Sequence, residues 1–410
     1  MKCAGIVVEY NPFHNGHLYH LQKTVEKTGA DCIIAVMSGN FLQRGEPALV
    51  SKFSRTKMAL AAGVDLVVEL PYAFATQKAE TFATGAVQIL ADLGCQYLCF
   101  GSESGKIDDF YRTMNFIEQN KELFNRSVQT YMKTGISYPK ACSMAFRSLN
   151  PTGMMVDLSK PNNILGYHYM KAIKKQHRSI TPITIKRIHS DYHENNLSPK
   201  GISSATSIRQ ALFSQTSFPI EAHVPKTTWN ELIRFKKEYG TFAHWERYWS
   251  FLQYRLLHIR PKDLKNIYEV EEGIEHRLIG MAKEASHFQA FMEKLKTKRY
   301  TWTRLQRIIT HILTNTTKEE MERRSEKVDY IRILGLNERG RKYLRKYKDS
   351  FPTPIISKIS SLTEEKIYLD VRAGRTYAFG FDPPFRQQMI QLEYARPPII
   401  LESDGRPSIS

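Results

Sequence analysis

Cysteine is scarce and scattered in this chain. The five residues lie between Cys3 and Cys142, an odd number with no C-x-x-C pair and no accompanying cluster of histidines. That pattern is neither a disulfide framework nor a zinc site, and it fits small core side chains in a reducing cytoplasm. No apolar run approaches the ~18–20 residues that a membrane-spanning helix needs. The apolar run near the start is cut by Glu9. Neither a membrane span nor a signal peptide is therefore expected, and no membrane partner. Acidic residues are outnumbered, 41 Asp+Glu against 59 Lys+Arg, for a net charge of +18. Such an excess points to a polyanionic partner, nucleic acid before membrane. Yet the chain has no zinc finger, RNP motif or K-homology G-x-x-G loop to say how RNA would be held. Hydrophobic content of 42% over 410 residues allows a real core and two or three domains.

What is present is organised around residues 6–20, IVVEYNPFHNGHLYH. The run Cys3–Val8 reads as a buried strand. A turn-rich break follows at Asn11, Pro12, Asn15 and Gly16, and then Leu18, Leu21, Gln22 and Val25 fall at helical spacing. The loop between strand and helix carries His14 and His17 as H-x-G-H. A helix N-terminus offers unpaired N–H groups and a positive dipole end, which suits phosphate. Gly16 allows a close backbone approach, and two imidazoles can donate to phosphoryl oxygens as charge develops. An H-x-x-H zinc reading lacks a third ligand nearby. H-x-G-H directly after a first strand resembles the signature of the HIGH-motif nucleotidyltransferase superfamily.

Further strands are expected at residues 32–37, 65–70, 97–100 and 183–188, with helices between them. This order argues an α/β fold, a Rossmann-like doubly wound parallel sheet, with ligands beyond the carboxyl ends of the strands. His14, His17, Ser38, Gly39 and Gly101 fall at those ends. Residues 110–149 read as a helical lid or insertion. Pro161 suits the first turn of a helix through about residue 175. A loop over 189–201 leads to Ile202-Ser203-Ser204-Ala205-Thr206-Ser207-Ile208-Arg209, which opens a helix. Its hydroxyls and Arg209 suit phosphate, and with H-x-G-H upstream it resembles the superfamily's second motif, which grips the β,γ-phosphates. Ala205 interrupts the usual pattern and leaves open which hydroxyl touches phosphate.

A boundary is expected at residues 219–226. It separates a nucleotidyltransferase-like ATP-binding catalytic domain (1–220) from a mainly helical, basic domain (221–410) ending in a small tail. Helices are expected at 229–239, 242–257, 264–282, 288–295 and 302–313, and tail strands at 355–359 and 367–371. Cations with aromatics between them (Tyr300, Trp302, Tyr343, Tyr347) suit a sugar-phosphate backbone with splayed bases. The candidate RNA contacts are Lys298, Arg299, Arg304, Arg307, Arg339, Arg341, Lys342 and Arg345.

Six stretches together, V-V-E-Y-N-P-F-H-N-G-H, S-G-N-F-L-Q-R-G-E-P-A, D-L-V-V-E-L-P, F-G-S-E, P-N-N-I-L-G and K-R-Y-T-W-T-R-L-Q-R-I, resemble the bacterial tRNA(Met) cytidine acetate ligases over most of the chain. The resemblance implies a two-step reaction. Acetate and ATP give acetyl-adenylate and pyrophosphate, and the acetyl group passes to N4 of the wobble cytidine of elongator tRNA(Met). It implies ATP contacts along Val7, Val8, Glu9, Tyr10, Asn11, Pro12, Phe13, His14, Asn15, Gly16, His17, Leu18, Tyr19 and His20. Gly101, Asn162, Arg187, Ile188, Ser203, Ser204 and Thr206 complete that set. His14 and His17 are assigned to the α-phosphate, and Arg209 with the hydroxyls to pyrophosphate. Ser38, Asn40, Gln43 and Arg44 are the candidates for the acetate or cytidine pocket. ATP is a co-substrate, Mg2+ is expected to accompany it, and no dedicated protein metal site declares itself. The oligomeric state is left open. A small-molecule adenylyl- or cytidylyltransferase is the competing reading; the basic C-terminal half speaks against it.

Overall fold

The computed structural model describes residues 1–187, 201–214 and 219–402, with the side chain of Glu364 left aside. The expected ATP contact at Ile188 and the loop at 189–200 lie outside the described residues. Five strands form the parallel part of the sheet: β1 (Cys3–Val8), β2 (Cys32–Ser38), β3 (Leu66–Leu70), β4 (Tyr97–Ser102) and β5 (Thr181–Lys186). They are nearly continuous apolar runs because helices cover both faces of the sheet. Three more strands come from the C-terminal part: β6 (Ile331–Leu336), β7 (Ile355–Ile356) and β8 (Ile399–Ile400). The order is β5-β4-β1-β2-β3-β6-β7, with β8 also on β6. β6 runs antiparallel to β3 and shifts register between Val67 and Val68. The α/β fold is as expected, and β1, the strand before H-x-G-H, is central.

The expected division at residues 219–226 is not where the cores divide. One apolar cluster takes in the sheet, the helix Lys226–Tyr239 and the C-terminal helices Glu364–Ala378 and Phe385–Ala395. A second cluster, built around Leu252, Leu278, Phe291 and Ile308, belongs to residues 245–313 alone. The chain thus leaves the sheet domain, forms a helical module and returns. The module docks on the loop after β2 and on the segment after β3. Thr310 Oγ1 donates to the carbonyl of Gly45 at 2.6 Å, and Tyr72 Oη lies 2.9 Å from His311 Nδ1. Gly45 has φ +85°, and a Cβ there would stand 2.6 Å from the backbone nitrogen of Arg307. Only glycine fits both the left-handed backbone and that approach.

Two element expectations fail for physical reasons. Residues 367–371 are helical, not a strand. The alternation that imitates a strand arises because this helix is buried on two sides. Ile367 and Val371 join a small cluster with Tyr330, Ile356 and Ile359, while Leu369 and Ala373 face the main core. The helix expected over 264–282 is broken between Pro261–Leu264 and Ile274–Glu284. Glu269, Glu272 and Gly273 take left-handed backbone there.

Candidate active site

Strand β1 ends at Val8, and Tyr10, at φ +51°, turns the chain out of the sheet. Helix α1 (Asn15–Thr28) then starts with His14 as its N-cap. The cap is made by imidazoles. His14 Nδ1 accepts the N–H of Gly16 at 3.0 Å, and His17 Nδ1 accepts the N–H of His14 at 3.3 Å. With both Nδ1 atoms accepting, each neutral ring carries its hydrogen on Nε2. The rings stack with centroids 3.7 Å apart, and Tyr10 meets His17 edge-on at 5.0 Å. Gly16 is required by the cap itself: a Cβ there would lie 2.8 Å from His14 Cε1.

The same surroundings keep the rings neutral. Burial, then the Arg187 and Arg209 cations, push His14 down to about 3. Burial, His14, Arg187 and His20 push His17 well below the ordinary imidazole value. Burial and Arg187 push His20 down to about 4. These shifts predict the acid side of the stability profile. A group whose folded pKa is depressed binds more protons unfolded, so its contribution is complete above the unfolded value of about 6.5. It is lost as pH falls from there toward the folded values. Melting temperature is expected to drop from pH 6.5 toward 4, and a His20→Asn variant, which removes one such group, should drop less steeply. A melting temperature flat over that range would contradict the assignment.

The second motif meets the first. Ser204 caps the helix Ala205–Phe213, accepting the N–H of Ser207 at 3.1 Å. Ser203 Oγ lies 2.9 Å from His223 Nδ1. Both hydroxyls are thus engaged within the protein, whereas Thr206 is exposed at the helix start. Arg209 donates to the carbonyl of Asn11 at 2.8 Å and to the Glu46 carboxylate at 2.9 and 3.1 Å. Asn15 fastens the two motifs, donating to the carbonyls of Gly201 and Ala222 at 2.9 Å each.

These groups border one cleft of about 1600 Å³. Of the expected ATP contacts, Val7 to Asn11, His14, Gly16, His17, Tyr19, His20, Gly101, Asn162, Arg187, Ser203, Ser204 and Thr206 line it. Pro12, Phe13, Asn15 and Leu18 do not: Phe13 is core and Asn15 is a staple. Asn162 is aimed by Glu103, whose carboxylate accepts Asn162 Nδ2 at 2.7 Å and the N–H of Asn163 at 2.9 Å. Asn163 Oδ1 in turn accepts the N–H groups of Glu103 and Ser104. The F-G-S-E and P-N-N motifs are two halves of one clasp.

The loop after β2 contributes Gln43 and Arg44 to the cleft, with burial lowering the Arg44 guanidinium. Ser38 and Asn40 are corrected out of the pocket. Ser38 is fully buried, and Asn40 Oδ1 accepts the N–H of Lys52 at 2.9 Å, capping the next helix.

The expected tRNA contacts separate. Arg299, Arg304 and Arg307 line the cleft, paired with Glu272, Glu271 and Glu269. Lys298 is exposed beside them. Arg339, Arg341, Lys342 and Arg345 sit on the helix Glu338–Tyr347 at the other end of the sheet. There Tyr343 Oη donates to the carbonyl of Leu93, and Asn337 N to that of Asp65, both just before strands β4 and β3 begin. A strand of five or six residues at ~3.3 Å each separates that end from the histidines. Sequence reasoning missed a lysine set on the cleft: Lys78, Lys121, Lys171, Lys174, Lys175 and Lys186. Four-residue spacing of Lys171 and Lys175 on one helix was the available signal.

A family model described as HIGH Nucleotidyl Transferase matches residues 1–391. A tRNA(Met) cytidine acetate ligase from Geobacillus sp. (strain WCH70) is 51% identical over 403 residues, covering 98% of this chain and 100% of the relative. The Bacillus subtilis (strain 168) protein of the same name is 48% identical over 409 residues, 98% of each. Among solved structures, Thermotoga maritima TmcAL in its apo form superposes with a TM-score of 0.91 at 34% identity, over 98% of this chain and 100% of that one. The same protein bound with alpha-thio ATP gives 0.89 at 33% identity, with the same coverage.

Proposed function

Because this chain belongs to the tRNA(Met) cytidine acetate ligases, within the HIGH nucleotidyl transferases, we propose how its cleft runs the two steps. The enzyme is an ATP-dependent ligase. It activates acetate as acetyl-adenylate and acetylates N4 of the wobble cytidine of elongator tRNA(Met). The observation that carries the site assignment is the pair of neutral, stacked imidazoles, their Nε2–H groups free of the cap, in one cleft with Arg187 and Arg209.

In the first step an acetate oxygen attacks the α-phosphorus and pyrophosphate leaves. Neither reactant needs a covalent helper; alignment and relief of charge on the phosphoryl oxygens suffice. His14 and His17 donate to the α-phosphate. Thr206, Arg209 and the start of its helix hold the β,γ-phosphates, a helix N-terminus being suited to anions. Gly101, Asn162 and Arg187 border the nucleoside, and Gln43 and Arg44 border the acetate or cytidine. Mg2+ arrives with the triphosphate as its counter-ion. Among the described residues no group of three His, Cys, Asp or Glu is arranged to hold a metal, and no step is assigned to the ion. In the second step the cytidine N4 attacks the acyl carbon and AMP leaves. No helix among the described residues is long and apolar enough to cross a membrane, and a tRNA substrate puts the work in the cytoplasm.

The test is mass analysis of nucleosides from unmodified tRNA(Met) incubated with the protein, ATP and isotopically labelled acetate, without acetyl-CoA. Labelled N4-acetylcytidine is expected; pyrophosphate release with some other acid, and none with acetate, would sink the acetate assignment. We place the tRNA on the cleft side of the molecule. Charge reversal at Arg299 and Lys175 should weaken tRNA binding and shallow its salt dependence, by about one unit of log–log slope for each phosphate no longer neutralised. Reversal at Arg341 and Lys342, at the other end of the sheet, should change binding less than twofold. The opposite ranking would mean the RNA wraps the N-terminal ends of the strands.

A further inference from the structure

Acyl transfer to a cytosine amine needs a proton acceptor. The N4 lone pair is delocalised into the ring, so the new N–C bond forms as a proton leaves, and a positioned base speeds such a step ~10²–10⁴-fold. Among the described residues six acids line the cleft: Glu9, Glu46, Glu80, Glu118, Glu269 and Glu271. Five are ion-paired, with Arg209, Lys171, Lys174, Arg307 and Arg304 respectively. Glu9 has no ion pair among the described residues. Its Oε1 accepts the N–H of Gln43 at 2.7 Å, and its Oε2 takes no hydrogen bond from a described residue.

The described histidines of the cleft are poorer bases. His14 and His17 spend Nδ1 on the helix cap. His20 and His168 are both pushed down to about 4, chiefly by burial. His177 lies beyond the far end of the helix whose start carries Asn162, about 22 Å along it at ~1.5 Å per residue.

We propose that Glu9 is the general base of the transfer step, its carboxylate taking the N4 proton as N4 attacks the acetyl carbonyl carbon. The N4–C bond forms and the C–O bond to the phosphate breaks, with its electron pair leaving on AMP. The proton passes to Glu9 and then to cleft water. This role rests on the ligase reading of the same cleft. Glu9 sits at the carboxyl end of β1, five residues before His14, and the left-handed Tyr10 that follows it turns the chain away. Among the described residues the charged and titratable groups around it are Arg44 and Glu46 on the loop after β2, Arg55 on the helix Lys52–Ala61, and Tyr169 on the helix Pro161–Lys175. Burial raises the carboxyl above its ordinary value against the pull of the Gln43 N–H and the two arginines, which makes it a stronger base than an exposed glutamate.

The experiment compares wild type, Glu9→Gln and Glu9→Asp in single turnover, following pyrophosphate release and N4-acetylcytidine separately. Glutamine keeps an oxygen for the Gln43 N–H, and a melting curve checks folding. Because Glu9 also borders the ATP site, both steps are followed at saturating ATP, and transfer is expected to fall at least 100-fold in Glu9→Gln, more than tenfold beyond any fall in pyrophosphate release. The wild-type transfer rate should rise with pH through an inflection above the ordinary glutamate value, and that limb should vanish in Glu9→Gln. Equal losses in both steps, an unchanged transfer rate, or a wild-type transfer rate flat from pH 4 to 8 would each overturn the proposal. The last needs no variant to fold. Failure of wild type to make N4-acetylcytidine at all would instead strike the ligase reading.

Discussion

Replacing His17 with alanine is expected to slow acetyl-adenylate formation ~10²–10³-fold, about 3–4 kcal/mol of transition-state stabilisation, the cost of losing one preorganised donor at a developing oxyanion. The imidazole works as a neutral donor, because burial and neighbouring cations hold it well below the ordinary value. Its orientation is set by the His14 N–H, which it accepts at Nδ1. The adenylation rate should therefore show no imidazole inflection near pH 6.5. A catalytic imidazolium would instead lose activity as pH rises through that value. The variant also loses part of a helix cap, worth ~1 kcal/mol, which appears in the melting temperature and not in the rate of a folded sample. Since His14 and His17 stack at 3.7 Å and share one cap, the double alanine variant should lose less than the sum of the singles. Rapid-quench measurement of pyrophosphate release gives the number. A His17→Ala rate within threefold of wild type would remove this histidine from the chemistry.

The first strand, its loop and the two phosphate motifs were legible because their signals are local: an apolar run, a turn, a cap, a helical repeat. Their convergence was legible only through resemblance, since nothing in the spacing of His14 and Arg209 says that Arg209 reaches the carbonyl of Asn11. Nonlocal features were hidden. Strand β6 pairs with β3 across more than 260 residues of chain, and its second residue is Arg332, which argues against a buried strand until its partners are known. The helix Glu364–Ala378 buries two faces and so mimics strand alternation. Charge runs told composition without location: one basic cluster borders the cleft and the other covers the opposite end of the sheet. Glu103 carries no local signal of its own, and its grip on Asn162 and Asn163 gives it a structural purpose.

Beneath the active-site loop lies a buried quartet, and breaking it carries the largest expected cost in stability. Lys52 Nζ is 2.7 Å from Glu69 and 2.6 Å from Glu393. Arg332 pairs with the same two carboxylates and also donates to the backbone carbonyl of Glu393 at 2.8 Å. All four side chains are at most 6% exposed. Two cations and two anions balance, so the quartet is tolerable as a whole and intolerable in part. Glu393→Ala leaves two cations facing one carboxylate out of reach of water, and should cost ~3–5 kcal/mol. Pairing it with Lys52→Met restores the balance, so the double variant should lose less than Glu393→Ala alone, a non-additivity that denaturant titration reads directly. Burial alone would raise the Glu393 carboxyl, but Lys52 and Arg332 outweigh it and hold the group below the usual range. Its contribution is then complete above the ordinary glutamate value of about 4.3 and is lost as pH falls through the lower folded one. The quartet also reaches the site. A Cβ on Gly39 would stand 2.7 Å from Glu69 Oε1. Arg55, one turn after Lys52, donates to the carbonyls of Glu9, Ser38 and Gly39. If Glu393→Ala cost under 1 kcal/mol, water would have to reach the orphaned cations. The floor under Glu9 and the loop after β2 would then be softer than four side chains at 6% exposure or less allow.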